Sequence, residues 1–132
     1  MKKILSLVLI SFSLLCSWQK ISKQAPEGWD PVGLSKSEII FDADGGSCTI
    51  ESTNYKSWRI NAIEITGTEI YYRADPGEDH SYLTASGDGI SAKVGSKKNT
   101  VVITVDPSSE VHDWKVIMRA GNAFTSIRVK QN

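Results

Sequence analysis

Histidines His80 and His112, the carboxylates of two turn-like segments and the thiol of Cys48 are the groups that could carry acid–base, metal or nucleophilic chemistry. His112 stands in "EVHD" (110–113), between Glu110 and Asp113. Zinc or general-base chemistry would need partners at a recognisable spacing, and no HExxH or GxSxG motif is present. The acidic segments are "DADGG" (42–46) and "DPGEDH" (75–80). Calcium needs six or more oxygens, and neither segment has the spacing of an EF-hand loop. Glycoside hydrolysis needs two carboxylates converging in a cleft, which no spacing here points to. The histidines therefore read as solvated loop residues and the acids as turn chemistry. Cys48 lies in an alternating run with no base or cation beside it, so it reads as a small buried hydrophobe rather than a reactive thiol. The chain is expected to be non-catalytic, with no metal and no cofactor.

A different chemistry remains open. Sugar rings lay their C–H faces on Trp and Tyr, so a glycan site wants two or three exposed aromatics beside polar groups. Trp29, Tyr55, Tyr71, Tyr72, Tyr82 and Trp114 are the candidate aromatics, and all but Tyr82 are taken as candidate ligand-binding residues. Tyr71 and Tyr72 are adjacent in a strand pattern, so one of them should point outward. Tyr82 reads as partly core and Trp58 as core. The alternative is that all are ordinary β-sheet aromatics, which strands favour for packing.

The N-terminus differs from the rest. Met1, Lys2 and Lys3 precede "ILSLVLISFSLL" (4–15), a basic start and an apolar run too short to span a bilayer. Residues 1–17 are read as a signal peptide and the protein as exported, to the periplasm, outer membrane or cell surface. Cys16 follows the run directly, where lipoproteins carry their lipidated cysteine. "SLLC" (13–16) has Leu15 where a small residue is usual, and ordinary cleavage after Ser17 competes. A lipid on Cys16 would anchor the domain without spanning the membrane. Residues 18–34 hold two prolines and two glycines with no sustained period, and are read as a linker before a domain at 35–132.

Acidic and basic residues number 15 each. That balance gives no electrostatic reason for a nucleic-acid partner or for an anionic membrane surface. A monomer is expected.

The elements that would position any site repeat every two residues. "TVVITVD" (100–106) sets Val101, Ile103 and Val105 in register, and "DWKVIMRA" (113–120) puts Trp114, Val116, Met118 and Ala120 on one face. "GNA" (121–123) reads as a tight turn joining this strand to "FTSIRVKQ" (124–131) in a hairpin. In "WRINAIEI" (58–65) the phase breaks after Ala62, which suggests a bulge. Gly45 and Gly46 sit where a turn between strands would need positive φ. Shorter runs at 38–42, 47–52, 69–73, 81–85 and 90–94 bring the chain to about seven to nine short antiparallel strands. No amphipathic helix follows residue 18. The class is all-β, an immunoglobulin-like β-sandwich.

The order of these residues resembles the BACON domain, a Bacteroidetes-associated module often found N-terminal to carbohydrate-active enzymes. Phe41, Gly45, Gly46, Trp58, Ile103, Val105, Ile127, Val129 and Gln131 match its pattern, over residues 35–132. Tyr82 stands where the family commonly has a second Trp, and Trp114 where it often has Arg. The resemblance implies a small immunoglobulin-like sandwich and a carbohydrate- or mucin-binding role, without supplying a residue-by-residue site. A glycan-binding module working through exposed aromatics is therefore the expected function. The alternative is a structural spacer or protein-interaction module at the cell envelope, docking a partner protein on an exposed strand edge.

Overall fold

The period-two runs form two sheets in the computed structural model, which describes residues 28–132. The segment expected to be a signal peptide (1–17), with Cys16, and residues 18–27 of the expected linker lie outside the described residues. The strands are β1 (Glu38–Phe41), β2 (Gly46–Glu51), β3 (Arg59–Ile65), β4 (Tyr71–Arg73), β5 (Thr84–Gly87), β6 (Ile90–Val94), β7 (Thr100–Val105), β8 (His112–Ala120) and β9 (Ala123–Gln131). One sheet has the order β1-β9-β8-β3-β4 and the other β2-β7-β6-β5. Their inner faces close on each other as a β-sandwich.

The pairings are antiparallel except one. β1 runs parallel to β9, with Ile39 opposite Val129 and Phe41 opposite Gln131. The exception arises because β1 continues into β2 of the opposite sheet, so its place on β9 is not set by a hairpin. The β8–β9 hairpin forms as the sequence suggests. Gly121, at φ +63, takes the first central position of a two-residue turn, which is the type II′ requirement.

The core follows the alternation. Ile50, Ile63, Val101, Ile103, Trp114, Val116, Met118, Ile127 and Val129 are sealed from water. The break after Trp58-x-Ile60 is a bulge: β3 and β8 shift register between Ile60 and Ala62, leaving Asn61 as the extra residue. Beyond it, Ile63 lies opposite Val116 and Ile65 opposite Trp114.

Buried polar groups join the two sheets. Trp58 Nε1 donates to the Thr100 carbonyl at 3.1 Å, and Trp114 Nε1 to Asp88 Oδ2 at 3.0 Å. Gln131 Nε2 donates to the carbonyls of Asp42 and Asp106, at 3.2 and 3.0 Å.

The packed domain starts before residue 35. Val32 is buried in the core, Leu34 bridges to Ser52, and Tyr55 and Asn54 donate to the carbonyls of Asp30 and Pro31. Residues 30–34 lack a period because they are held by side chains and one isolated bridge rather than by a continuous strand ladder.

Gly45 closes the β1–β2 turn at φ +72, and a Cβ there would lie 2.2 Å from the Val105 carbonyl oxygen. Both the left-handed backbone and the approach of β7 exclude a side chain. Gly45→Ala should lower the unfolding free energy by about 2 kcal/mol or more, read from urea denaturation.

Candidate functional site

Three arginines from distant parts of the sequence meet on the outer face of the five-stranded sheet. Arg59 opens β3 and lies directly opposite Arg119 of β8, while Arg119 lies opposite Phe124 of β9. Arg73 ends β4, opposite Ala62 just past the bulge. Together with Asn61 and Tyr82 they line a cleft of about 330 Å³, completed by buried Ile60 and Ala74.

The bulge and the loop before β5 build this cleft. The Asn61 carbonyl accepts the Ala74 N–H, which ties the end of β4 to the bulge. The Tyr82 carbonyl accepts the Ile60 N–H at 2.9 Å. Asp79 Oδ1 accepts both the N–H and the hydroxyl of Ser81, and those bonds hold its carboxyl below the usual carboxylate range. Tyr82 itself sits at φ +55, a conformation a non-glycine residue holds only where its surroundings impose it. Its ring lies 5.9 Å from the Arg59 guanidinium carbon, a cation–π distance.

Arg119 is held on two sides. Its Nε donates to the Gly121 carbonyl at 2.7 Å, and its guanidinium carbon lies 5.3 Å from the Phe124 ring centre. A second hollow of about 280 Å³, lined by Ser57, Trp58, Ser81 and Gly121, shares Arg59 and Arg119 with the first. Trp29 lies on Gly121, where a Cβ would come within 2.4 Å of its ring. Trp29 is 40% exposed.

Among the described residues, the carboxylate ion pairs lie elsewhere. Lys97 pairs with Glu51, Arg128 with Asp113 and Lys130 with Glu38, and a long contact joins His112 and Asp88. The Arg128 pairing lowers the Asp113 carboxyl. Among the described residues Arg59, Arg73 and Arg119 have no such partner.

The five aromatics expected to bind a ligand do not form one platform. Trp114 is fully buried: its alternation with Val116 and Met118 places it on the inner face, and its one polar atom is bound to Asp88. It is a core residue and offers no face to a ligand. Tyr72 turns inward over Gly87, whose missing side chain makes room for the ring. Tyr55 is half-buried, with its hydroxyl bound to Asp30. Tyr71 is 49% exposed but lies opposite Glu64, toward the far end of β3 from Arg59. Trp29 alone among the five lies near the arginines, against Gly121 of the adjoining hollow. Tyr82, read from sequence as partly core, supplies the cleft's aromatic.

His112 also differs from its sequence reading. It opens β8 and stacks on Trp114, with ring centres 4.8 Å apart, and its Nε2 lies 3.2 Å from the Ser108 hydroxyl. The acidic turns use their carboxylates locally: Asp42 accepts the Asp44 N–H and Asp75 the Gly77 N–H. Among the described residues no three His, Cys, Asp or Glu side chains converge as a metal would require.

No family model matches the sequence, and no curated protein matches it. Among solved structures the chain is similar to one described as "NMR structure of the protein from Bacteroides thetaiotaomicron". The TM-score is 0.59 and the identity 26%, over 81% of this chain and 92% of that one.

The burial difference between Trp114 and Tyr71 can be tested directly. Trp114→Ala should lower the unfolding free energy by about 3–5 kcal/mol, the range for emptying a core aromatic site. Tyr71→Ala should change it by less than about 0.5 kcal/mol, as at an exposed position. Both are read from urea denaturation monitored by far-UV circular dichroism.

Proposed function

We propose that this domain is a non-catalytic, exported binding module of the BACON type, acting at the cell envelope and taking a carbohydrate chain in the arginine–tyrosine cleft. The observation that carries this reading is the cleft itself. Arg59, Arg73, Arg119 and Asn61 present hydrogen-bond donors to a concave surface, with Tyr82 inside it and Trp29 beside the adjoining hollow. Sugar hydroxyls need such donors, and pyranose C–H faces need such rings. The cleft lies within the volume range of small-ligand sites, about 300–1,000 Å³.

The chemistry of the cleft is that of holding rather than of cutting. Its lining contains no carboxylate, thiol or histidine. Delivery to the envelope follows from the signal-like residues 1–17, with Cys16 as the point of lipid attachment or lying just before the cleavage site. Of the aromatics considered from the sequence, Tyr82 and Trp29 support this reading, while Tyr55, Tyr71, Tyr72 and Trp114 lie away from the cleft.

A glycan array probed with the protein, alongside Tyr82→Ala and Trp29→Ala, tests this. We expect binding to a defined set of glycans that weakens by about tenfold in Tyr82→Ala, the order of one lost stacking contact. Circular dichroism checks that each variant stays folded. Failure of the unaltered protein to bind any host, plant or bacterial glycan would remove the carbohydrate reading.

A further inference from the structure

We infer that the ligand of this cleft is an anionic saccharide, one that carries a carboxylate or a sulfate group on its sugar ring. The inference rests on the carbohydrate reading above and adds the charge of the ligand.

The first ground is the pairing of Arg59 and Arg119. They are direct cross-strand partners on one face of the sheet. Like charges directly opposite weaken a sheet. Elsewhere on the same sheet, Lys130 and Arg128 are matched to carboxylates. Here, among the described residues, no carboxylate lies within ion-pair distance, and Arg73 adds a third positive charge to the same cleft. The chain has equal numbers of acidic and basic residues, so this excess is a local arrangement and not a reflection of composition.

The second ground is the availability and shape of the donors. Arg119 commits its Nε to Gly121, and among the described residues Arg59 and Arg73 form no side-chain hydrogen bond. A guanidinium fork matches the two oxygens of a carboxylate or sulfate, and such charge-assisted bonds are about twice as strong as neutral ones. Two acids of the loop between β4 and β5 are engaged locally. Asp75 and Asp79 are bound within their own loop.

The third ground separates a sugar from an acidic peptide. The cleft is floored by Arg59, Ile60 and Asn61 of the interior strand β3, with Arg119 of the interior strand β8 beside them; Arg73 and Ala74 come from the end of the edge strand β4, where the Ala74 N–H is bound to the Asn61 carbonyl and the Asp75 N–H to the Thr84 carbonyl. The main-chain groups of β3 and β8 are committed to neighbouring strands, so an extended peptide finds no ladder to join on the cleft floor. Tyr82 and Trp29 instead place aromatic rings near the charges, the combination that suits a charged pyranose.

The test is calorimetric titration of the protein with matched probes. These are a galacturonic acid oligomer and its fully methyl-esterified form, a sulfated galactan oligomer and its desulfated form, a poly-glutamate peptide, and sodium sulfate. The variants are Arg59→Gln, Arg73→Gln and Arg119→Gln. We expect one acidic oligomer to bind, with its neutral counterpart weaker by about 10- to 100-fold. The carboxylate and sulfate arms identify which anion is read. Each Arg→Gln change should weaken the acidic oligomer by about tenfold or more, and raising the salt should weaken it further. Each of Arg59→Gln and Arg119→Gln removes a like-charge contact but also a contact to Tyr82, or to Phe124 and the Gly121 carbonyl, so the melting temperature of each variant is measured beside its affinity; this separates lost binding from lost folding. Equal binding of neutral and acidic oligomers, unaffected by the arginine changes, overturns the charge inference and leaves the carbohydrate reading standing. Poly-glutamate or free sulfate binding as tightly as the oligomers overturns the saccharide assignment. No binding of any probe overturns both.

Discussion

Ile60 lies opposite Met118 and Ile63 opposite Val116 across the β3–β8 ladder, all four closed off from water. That inner row fixes everything the outer face displays. Side chains alternate with a period of two, so a slip of one residue would carry Arg59 and Arg119 into the interior and bring Trp114 out. Burying an unpaired guanidinium is far more costly than any gain such a slip could bring. The arginines therefore stand where they do because the apolar residues between them leave no other register. The bulge at Asn61 adds one local freedom, letting the end of β4 and the Tyr82 loop approach the same patch.

The tryptophans divide between cohesion and surface. Trp58 and Trp114 each fill interior volume and send one N–H across the sandwich, to Thr100 and to Asp88. A large ring with a single polar atom suits this task, because its bulk displaces water while its donor fixes the spacing of two layers. Gln131 does the same with an amide, gripping the ends of β1 and β7. Trp29, outside any strand, keeps an exposed face. An aromatic count alone thus says little about a ligand platform; the inward or outward sense of each strand position decides it.

Much of this was legible in the residues. Val101-x-Ile103-x-Val105, the Gly121 turn, the phase break after Ala62 and the glycine pair at 45–46 all correspond to features of the fold. Trp114 was readable too, since its alternation with Val116 and Met118 already set it inward. The cleft was not. Arg59, Arg73 and Arg119 each look like a solvated strand position when taken alone, and they belong to three different strands. Only the cross-strand register makes neighbours of them, and a single sequence does not state that register. Val32 and Leu34 were hidden for a related reason: side chains of Asn54 and Tyr55, not a backbone period, hold their segment in place.

The pairing of β1 with β9 has a consequence in time. Gln131 reaches Asp42 across a separation of 89 residues. Residues 38–41 have no neighbour in their sheet until residues 123–131 have been synthesised. Contacts this distant are slow to form, because the long intervening loop must be closed before any bond rewards it. While the last hairpin is missing, a growing chain of this topology lacks its completed five-stranded sheet. Such a chain cannot close this sheet before its last residues have emerged, and the order of its own strands does the delaying.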